Sequence, residues 1–290
     1  MSEPFVPEVF VSEYKGMGFW PGPIDELDYD LGPHAATAAE AGRATGEQDW
    51  ENPTRLDQGR EGACVGFGWT GYLNSTPVTH NFDSNYAFGI YHVITQRDEY
   101  PGDWRTGQSG TSVRSGAKEV RRRGFIAAYA FTYDVQDMAL WILNQGPIVI
   151  GVPWLTGMDA PAPPEYFALV RGRLRGGHCV VVDQVSWYGA GDRRNRFGFA
   201  NSWGTRYGDQ GRANFTERGM RILMSDDSSV ACTALEIQQG PQQQEPYQKE
   251  AQQQRPYQQG PQQQGPYQQQ GPQQQGPYQQ QAPYQQQGPY

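Results

Sequence analysis

The chain has 290 residues and a formal net charge of −8. All eight Trp, all three Cys and all four His fall within residues 1–237, whereas 238–290 is almost wholly Gln, Pro, Gly and Tyr and close to neutral. An acidic body argues against nucleic acid as the main partner. No run approaches the ~18 apolar residues of a membrane-spanning helix, and three cysteines cannot build a disulfide framework.

Residues 1–49 read as an extended N-terminal arm, broken by Pro4 and Pro7, with an acidic run at 25–30 and a short Ala-rich helical turn at 35–42. The acidic, proline-broken start is unlike a signal peptide, so a cytoplasmic protein is expected. Residues 50–237 form the folded body. A Gly-rich loop leads through Cys64 into a helix. A second helix is predicted over 83–97 with Asp83 or Ser84 as N-cap, and a third is capped by Thr111 or Ser112 and closed by Gly124. A fourth occupies 134–146. Strands follow in "PIVIGVPW", "HCVVVDQVSWYG", "RFGFANSW", "GRANFTE" and "VACTALEI". Helices first and strands later predict an α+β fold, a helical half and a β-sheet half with a cleft between them. The tail, 238–290, repeats "QQQGPY" and lacks the aliphatic residues that offset ordering entropy, so disorder with polyproline-like stretches is expected. It reads as a tether or as an adhesive arm for a partner or polymer.

Three segments carry the chemistry: "LDQGREGAC" ending at Cys64, "RGGHCVVV" around His178 and "FGFANSWGTRYG" around Asn201. A thiol nucleophile needs an imidazole to take its proton, a group to orient that imidazole and a donor for the oxyanion. Cys64, His178, Asn201 and Gln58 supply these in that order. Cys64 lies where a helix N-terminus would help ionise it. Cys179 and Cys232 fall in strands and read as core. His34, His80 and His92 read as structural or solvated. The sequence Gly66–Gly71 fits G-x-G-x-x-G, but no strand precedes it, so nucleotide binding is rejected and close helix packing is expected of its glycines.

The order Gln, Cys, His, Asn, with "NSWG" at the end, resembles the papain-like (C1) cysteine peptidases over residues 50–237. That resemblance implies a two-subdomain papain-like fold and hydrolysis of peptide bonds through an acyl-enzyme on Cys64. It also implies a thiolate–imidazolium pair, with Cys64 titrating below its usual value and His178 above. Trp203 would shield the His178–Asn201 bond, and Gly110 would pair with substrate backbone. No cofactor or metal is implied. The surroundings differ from the C-G-[SA]-C-[WY] pattern: Glu61 and Val65 replace a Cys and an aromatic. His178 follows Cys64 by 114 residues and Asn201 by 137, against ~130–150 in the family. The nearest likeness is to intracellular bacterial or bacteriophage members without a helical pro-domain, which would place the chain in host cytoplasm or in a virion bound through its tail. Two other functions fit the same residues: a thiol acyltransferase of transglutaminase type, or a silent papain-fold virion module.

Overall fold

A computed structural model of the chain describes residues 16–22, 28–106 and 109–237. The disorder expected over 238–290, and the arm over 1–15 and 23–27, lie outside the described residues. In chain order the elements are β1 (Tyr29–Asp30), α1 (Gly32–Ala41), β2 (Gly46–Asp49), α2 (Cys64–Asn74), α3 (Ser84–Ile94), α4 (Val113–Arg122), β3 (Ile126–Thr132), α5 (Val135–Asn144), β4 (Ile148–Leu155), β5 (Leu174–Trp187), β6 (Arg196–Ala200), β7 (Arg212–Thr216), α6 (Glu217–Met224) and β8 (Val230–Ile237).

Side-chain caps fix the helix starts. Asp83 accepts from the Tyr86 amide, Ser112 from Ser115, and Asp134 from both Gln136 and Asp137, each satisfying a first-turn N–H that has no intrahelical acceptor. Thr216 caps α6 in the same way, accepting from Gly219.

The described strands form one sheet in the order β1-β3-β8-β4-β5-β6-β7, with β2 also paired to β5. The β1–β3 pair is parallel and the others are antiparallel. The apolar runs of β4 and β5 are buried on both faces, as unbroken runs of this kind require. Ile148, Ile150, Val180 and Val182 join a core with residues of α1, α5 and α6. Val149, Val181 and Cys232 face the other way and pack with Val65 and Trp69 of α2, Ile90 of α3 and Val120 of α4. Helices thus cover both sides of the sheet, which the run of helices followed by strands does not convey.

Residues 28–49 are less extended than their composition suggests. Ala35 and Ala38 of α1 are buried, and β2 adds an antiparallel strand along β5. Two alanines are a weak apolar signal, and "GEQD" carries none. Among the described residues, no helix is long and apolar enough to cross a membrane.

The glycines of α2 reflect close packing. A Cβ at Gly66 would lie 2.6 Å from Tyr91 Cβ and 2.7 Å from the Ala87 carbonyl oxygen, and one at Gly68 would lie 2.7 Å from Cys179 Sγ. Gly66→Ala gains about 1 kcal/mol of helix propensity but overpacks a contact of the kind that costs about 1–3 kcal/mol. It is therefore expected to lower the melting temperature, whereas a rise would show that α2 and α3 have slack between them.

Candidate active site

Cys64 is the first residue of α2, and its sulfur is reached by its own amide and that of Val65, as well as by backbone groups of Cys179 and Gly18. The loop before it is zipped to the turn after β6: the Gln58 amide donates to the Ser202 carbonyl at 2.9 Å and the Gly204 amide to the Leu56 carbonyl at 3.0 Å. The Gln58 side chain is buried between these segments. Its Oε1 accepts from the Ser202 hydroxyl, and its Nε2 donates to the Glu61 carbonyl at 2.7 Å and the Gly16 carbonyl at 3.1 Å. Ser202 therefore sets which end of the amide faces the cleft. The sequence alone did not mark that role.

His178 lies in β5 opposite Val152 of β4. Its Nε2 is 2.9 Å from Asn201 Oδ1, and the same oxygen accepts the Ser202 amide at 2.8 Å. Because that oxygen acts as an acceptor, Nε2 carries the ring proton and Nδ1 keeps a lone pair. Nδ1 is buried and has no hydrogen-bond partner among the described residues. Trp154 meets the ring edge-on at 4.7 Å and Trp203 lies tilted over it at 4.9 Å. Both indoles pack on the ring, and His178 and Asn201 are buried beneath them. Trp154, which donates through Nε1 to Asp159, was not singled out from sequence.

Residues 16–22 cross the front of the site as a strap. Thr111 N donates to the Gly18 carbonyl at 2.9 Å, Trp20 N to the Thr111 carbonyl at 3.0 Å, and Phe19 N to the Gly177 carbonyl at 3.1 Å. Within the chain, the strap pairs with the backbone of Thr111, the neighbour of Gly110. Gly110 sits at φ +110° with its N–H donated to the Tyr91 hydroxyl at 2.9 Å.

Burial reverses the titration expected of the pair. Cys64 and His178 are both fully buried. Burial pushes the Cys64 thiol up to about 12, against the opposing pull of the backbone hydrogen bonds on its sulfur. Burial likewise brings His178 down to about 4, against the hydrogen bond to Asn201 that favours the cation. Desolvation penalises whichever form is charged, so both residues are neutral in the covered site.

A stability effect follows with a definite sign. Between pH 6.5 and about 4 the unfolded chain protonates His178 while the folded chain does not. Stability contributed by the neutral ring is thus present above pH 6.5 and lost as pH falls, on the order of 3 kcal/mol in all. Denaturant midpoints should drop more steeply over this range for the natural chain than for His178→Gln. Equal slopes would show that the ring is solvated.

The remaining candidates are structural. Cys179 and Cys232 are buried in the core shared with α2. His92 pairs with Glu61 at 3.0 Å and stacks on Trp104 at 3.7 Å. His80 stacks on Phe82 at 4.7 Å. The G-x-G-x-x-G stretch lies wholly inside α2.

Two solved structures share this architecture. Xylellain, a cysteine protease from Xylella fastidiosa, aligns with a TM-score of 0.55 and 17% identity over 79% of this chain and 100% of its own. The proform of Amb a 11, a cysteine protease and major pollen allergen of ragweed, aligns with a TM-score of 0.51 and 14% identity over 79% of this chain and 68% of its own. No protein-family model and no curated relative matches the sequence. At these identities the likeness concerns fold, and the fold of this chain is that of the papain-like cysteine proteases.

Proposed function

We propose that the chain is a cysteine-type peptidase that hydrolyses peptide bonds of peptides or proteins through an acyl-enzyme on Cys64. The observation that carries this reading is the polarity of His178. With Nε2–H committed to Asn201, only Nδ1 is left to act as a base, and it is buried beside Cys179, whose backbone touches the Cys64 sulfur.

With a peptide in place of the strap, His178 Nδ1 takes the Cys64 proton and the sulfur adds to the scissile carbonyl carbon. The carbonyl oxygen becomes an oxyanion held by Gln58 Nε2 and by the Cys64 amide at the start of α2, where first-turn N–H groups lack helical acceptors. His178 then gives its proton to the departing amine, leaving a thioester on Cys64. A water, deprotonated by the same Nδ1, releases the acid and restores the thiol. Asn201 holds the ring in the tautomer that keeps Nδ1 basic. Trp203 and Trp154 keep water from that bond.

The direct test is the fate of the acyl group. Incubated with a denatured protein substrate and a primary amine, the chain should yield new carboxyl termini. Amine-capped products instead would assign it to acyl transfer, and no product from a chain with a reactive Cys64 would make it a silent module.

A further inference from the structure

Glu61 breaks the C-G-[SA]-C-[WY] pattern before the nucleophile, and the catalytic groups give it no task. Its main chain nevertheless holds the oxyanion donor. The Glu61 carbonyl accepts from Gln58 Nε2 at 2.7 Å, and the Glu61 amide donates to the Gln58 carbonyl at 3.3 Å. Its side chain reaches the other way, to α3, where Oε1 lies 3.0 Å from His92 Nε2. A carboxylate only accepts, so His92 Nε2 is the donor. One residue is thus tied to Gln58 on one side and to α3 on the other.

His92 is itself held on both faces. Its ring stacks on Trp104 at 3.7 Å with 15° between the planes, and Phe88 lies 6.2 Å away at 29°. The Arg105 guanidinium stands 5.0 Å over the Trp104 ring. The Thr95 hydroxyl donates to the His92 carbonyl at 3.1 Å and accepts the Trp104 amide at 3.3 Å, which joins the same two residues through the backbone. A ring already packed loses little further entropy in holding its partner. The same turn of α3 meets α2 where Tyr91 Cβ would lie 2.6 Å from a Cβ at Gly66. Helix α3 therefore anchors both the oxyanion loop and the helix that begins at Cys64.

We infer that His92 is a positioning residue which, acting through Glu61, sets where Gln58 Nε2 points and how well the oxyanion is met. It touches neither substrate nor reacting atom. The inference rests on the peptidase reading for the oxyanion, while the His92–Glu61–Gln58 chain stands on contacts alone. A side-chain amide has two N–H donors. One meets the Glu61 carbonyl and the other the Gly16 carbonyl. When a peptide carbonyl takes the place of Gly16, the Glu61 bond remains and aims the second N–H. Misplacement of about 1 Å in such a group costs on the order of 10²-fold in rate.

The test reads kcat and KM on a peptide substrate beside backbone hydrogen exchange of the full folded chain. His92→Ala should lower kcat at least about tenfold and leave KM within about twofold. His92→Gln, whose amide nitrogen can stand where Nε2 stood, should recover most of that loss. In a Gln58→Ala chain, adding His92→Ala should cost less than about twofold more, because both act on one donor. An undiminished loss in that background, no rescue by Gln, or an unchanged kcat in His92→Ala would overturn the positioning role.

Hydrogen exchange separates the clamp from the chemistry. Amides of residues 59–63 should exchange at least about tenfold faster in His92→Ala and in Glu61→Ala than in the natural chain, with α5 unchanged. If His92→Ala loosens α5 as well, it has lost its fold and Glu61→Ala gives the result. Equal exchange at 59–63 in folded variants would overturn the clamp. Faster exchange there, in a protein whose natural chain cleaves no peptide, would keep the clamp and refute the peptidase reading.

Discussion

Replacing Cys64 by alanine is expected to abolish peptide hydrolysis and leave the fold intact. In the proposed mechanism the sulfur is the group that bonds the scissile carbon, so its loss removes the acyl-enzyme route. Deleting the nucleophile of a comparable hydrolase machinery costs on the order of 10⁶-fold in kcat. The fold should survive because the thiol packs as a small group in the cluster with Val65 and Cys179, and alanine keeps its β-carbon there. The variant should keep a cooperative melt close to that of the natural chain. Residual turnover within about tenfold of the natural chain would mean that bond cleavage does not pass through this sulfur.

The second large effect belongs to Gln58. Its amide is held by three neighbours: the Ser202 hydroxyl on Oε1, and the Glu61 and Gly16 carbonyls on Nε2. Ser202 and Glu61 hold the amide in place, so once the Gly16 carbonyl has left Nε2 little further reorganisation is needed, and losing such a donor costs about 10²–10³-fold in kcat. Gln58→Ala should fall in that range with KM little changed, because the interaction is made chiefly in the transition state. Gln58→Glu should be no better, since a carboxylate accepts where a donor is needed. A Gln58→Ala chain with unaltered kcat would remove Gln58 from the oxyanion role and leave the Cys64 amide alone there.

The candidate residues Gln58, Cys64, His178 and Asn201 are picked out by three short motifs, each readable within about a dozen residues, and the structure brings Gln58 against Ser202 and His178 against Asn201. Helices α3, α4 and α5 announce themselves through Asp83, Ser112 and Asp134, because a capping oxygen acts on amides two or three residues away. Strand β3, "IAAYAFT", and helix α6, "ERGMRILM", carry weaker local signals and depend on packing against neighbours distant in sequence. The strap is the clearest case of information held in tertiary complement. "GMGFW" looks like irregular chain, and its meaning lies in glycines at 62, 151 and 177 that make room for it. The titration of Cys64 and His178 is likewise invisible in the sequence, because burial, which raises the thiol and lowers the imidazole, is set by the tertiary fold.

The proposed role of Cys64 is that of the reactive thiol of a peptide-binding cleft. It is tested most directly by treating the folded chain, and the strap-loosened Gly18→Ala chain, with a thiol-directed peptidyl epoxide and mapping the adduct. A single adduct on Cys64, formed faster in the Gly18→Ala chain and lost in His178→Ala, is the expected result. An adduct on Cys179 or Cys232 in the folded protein, or labelling of Cys64 indifferent to His178, would contradict it.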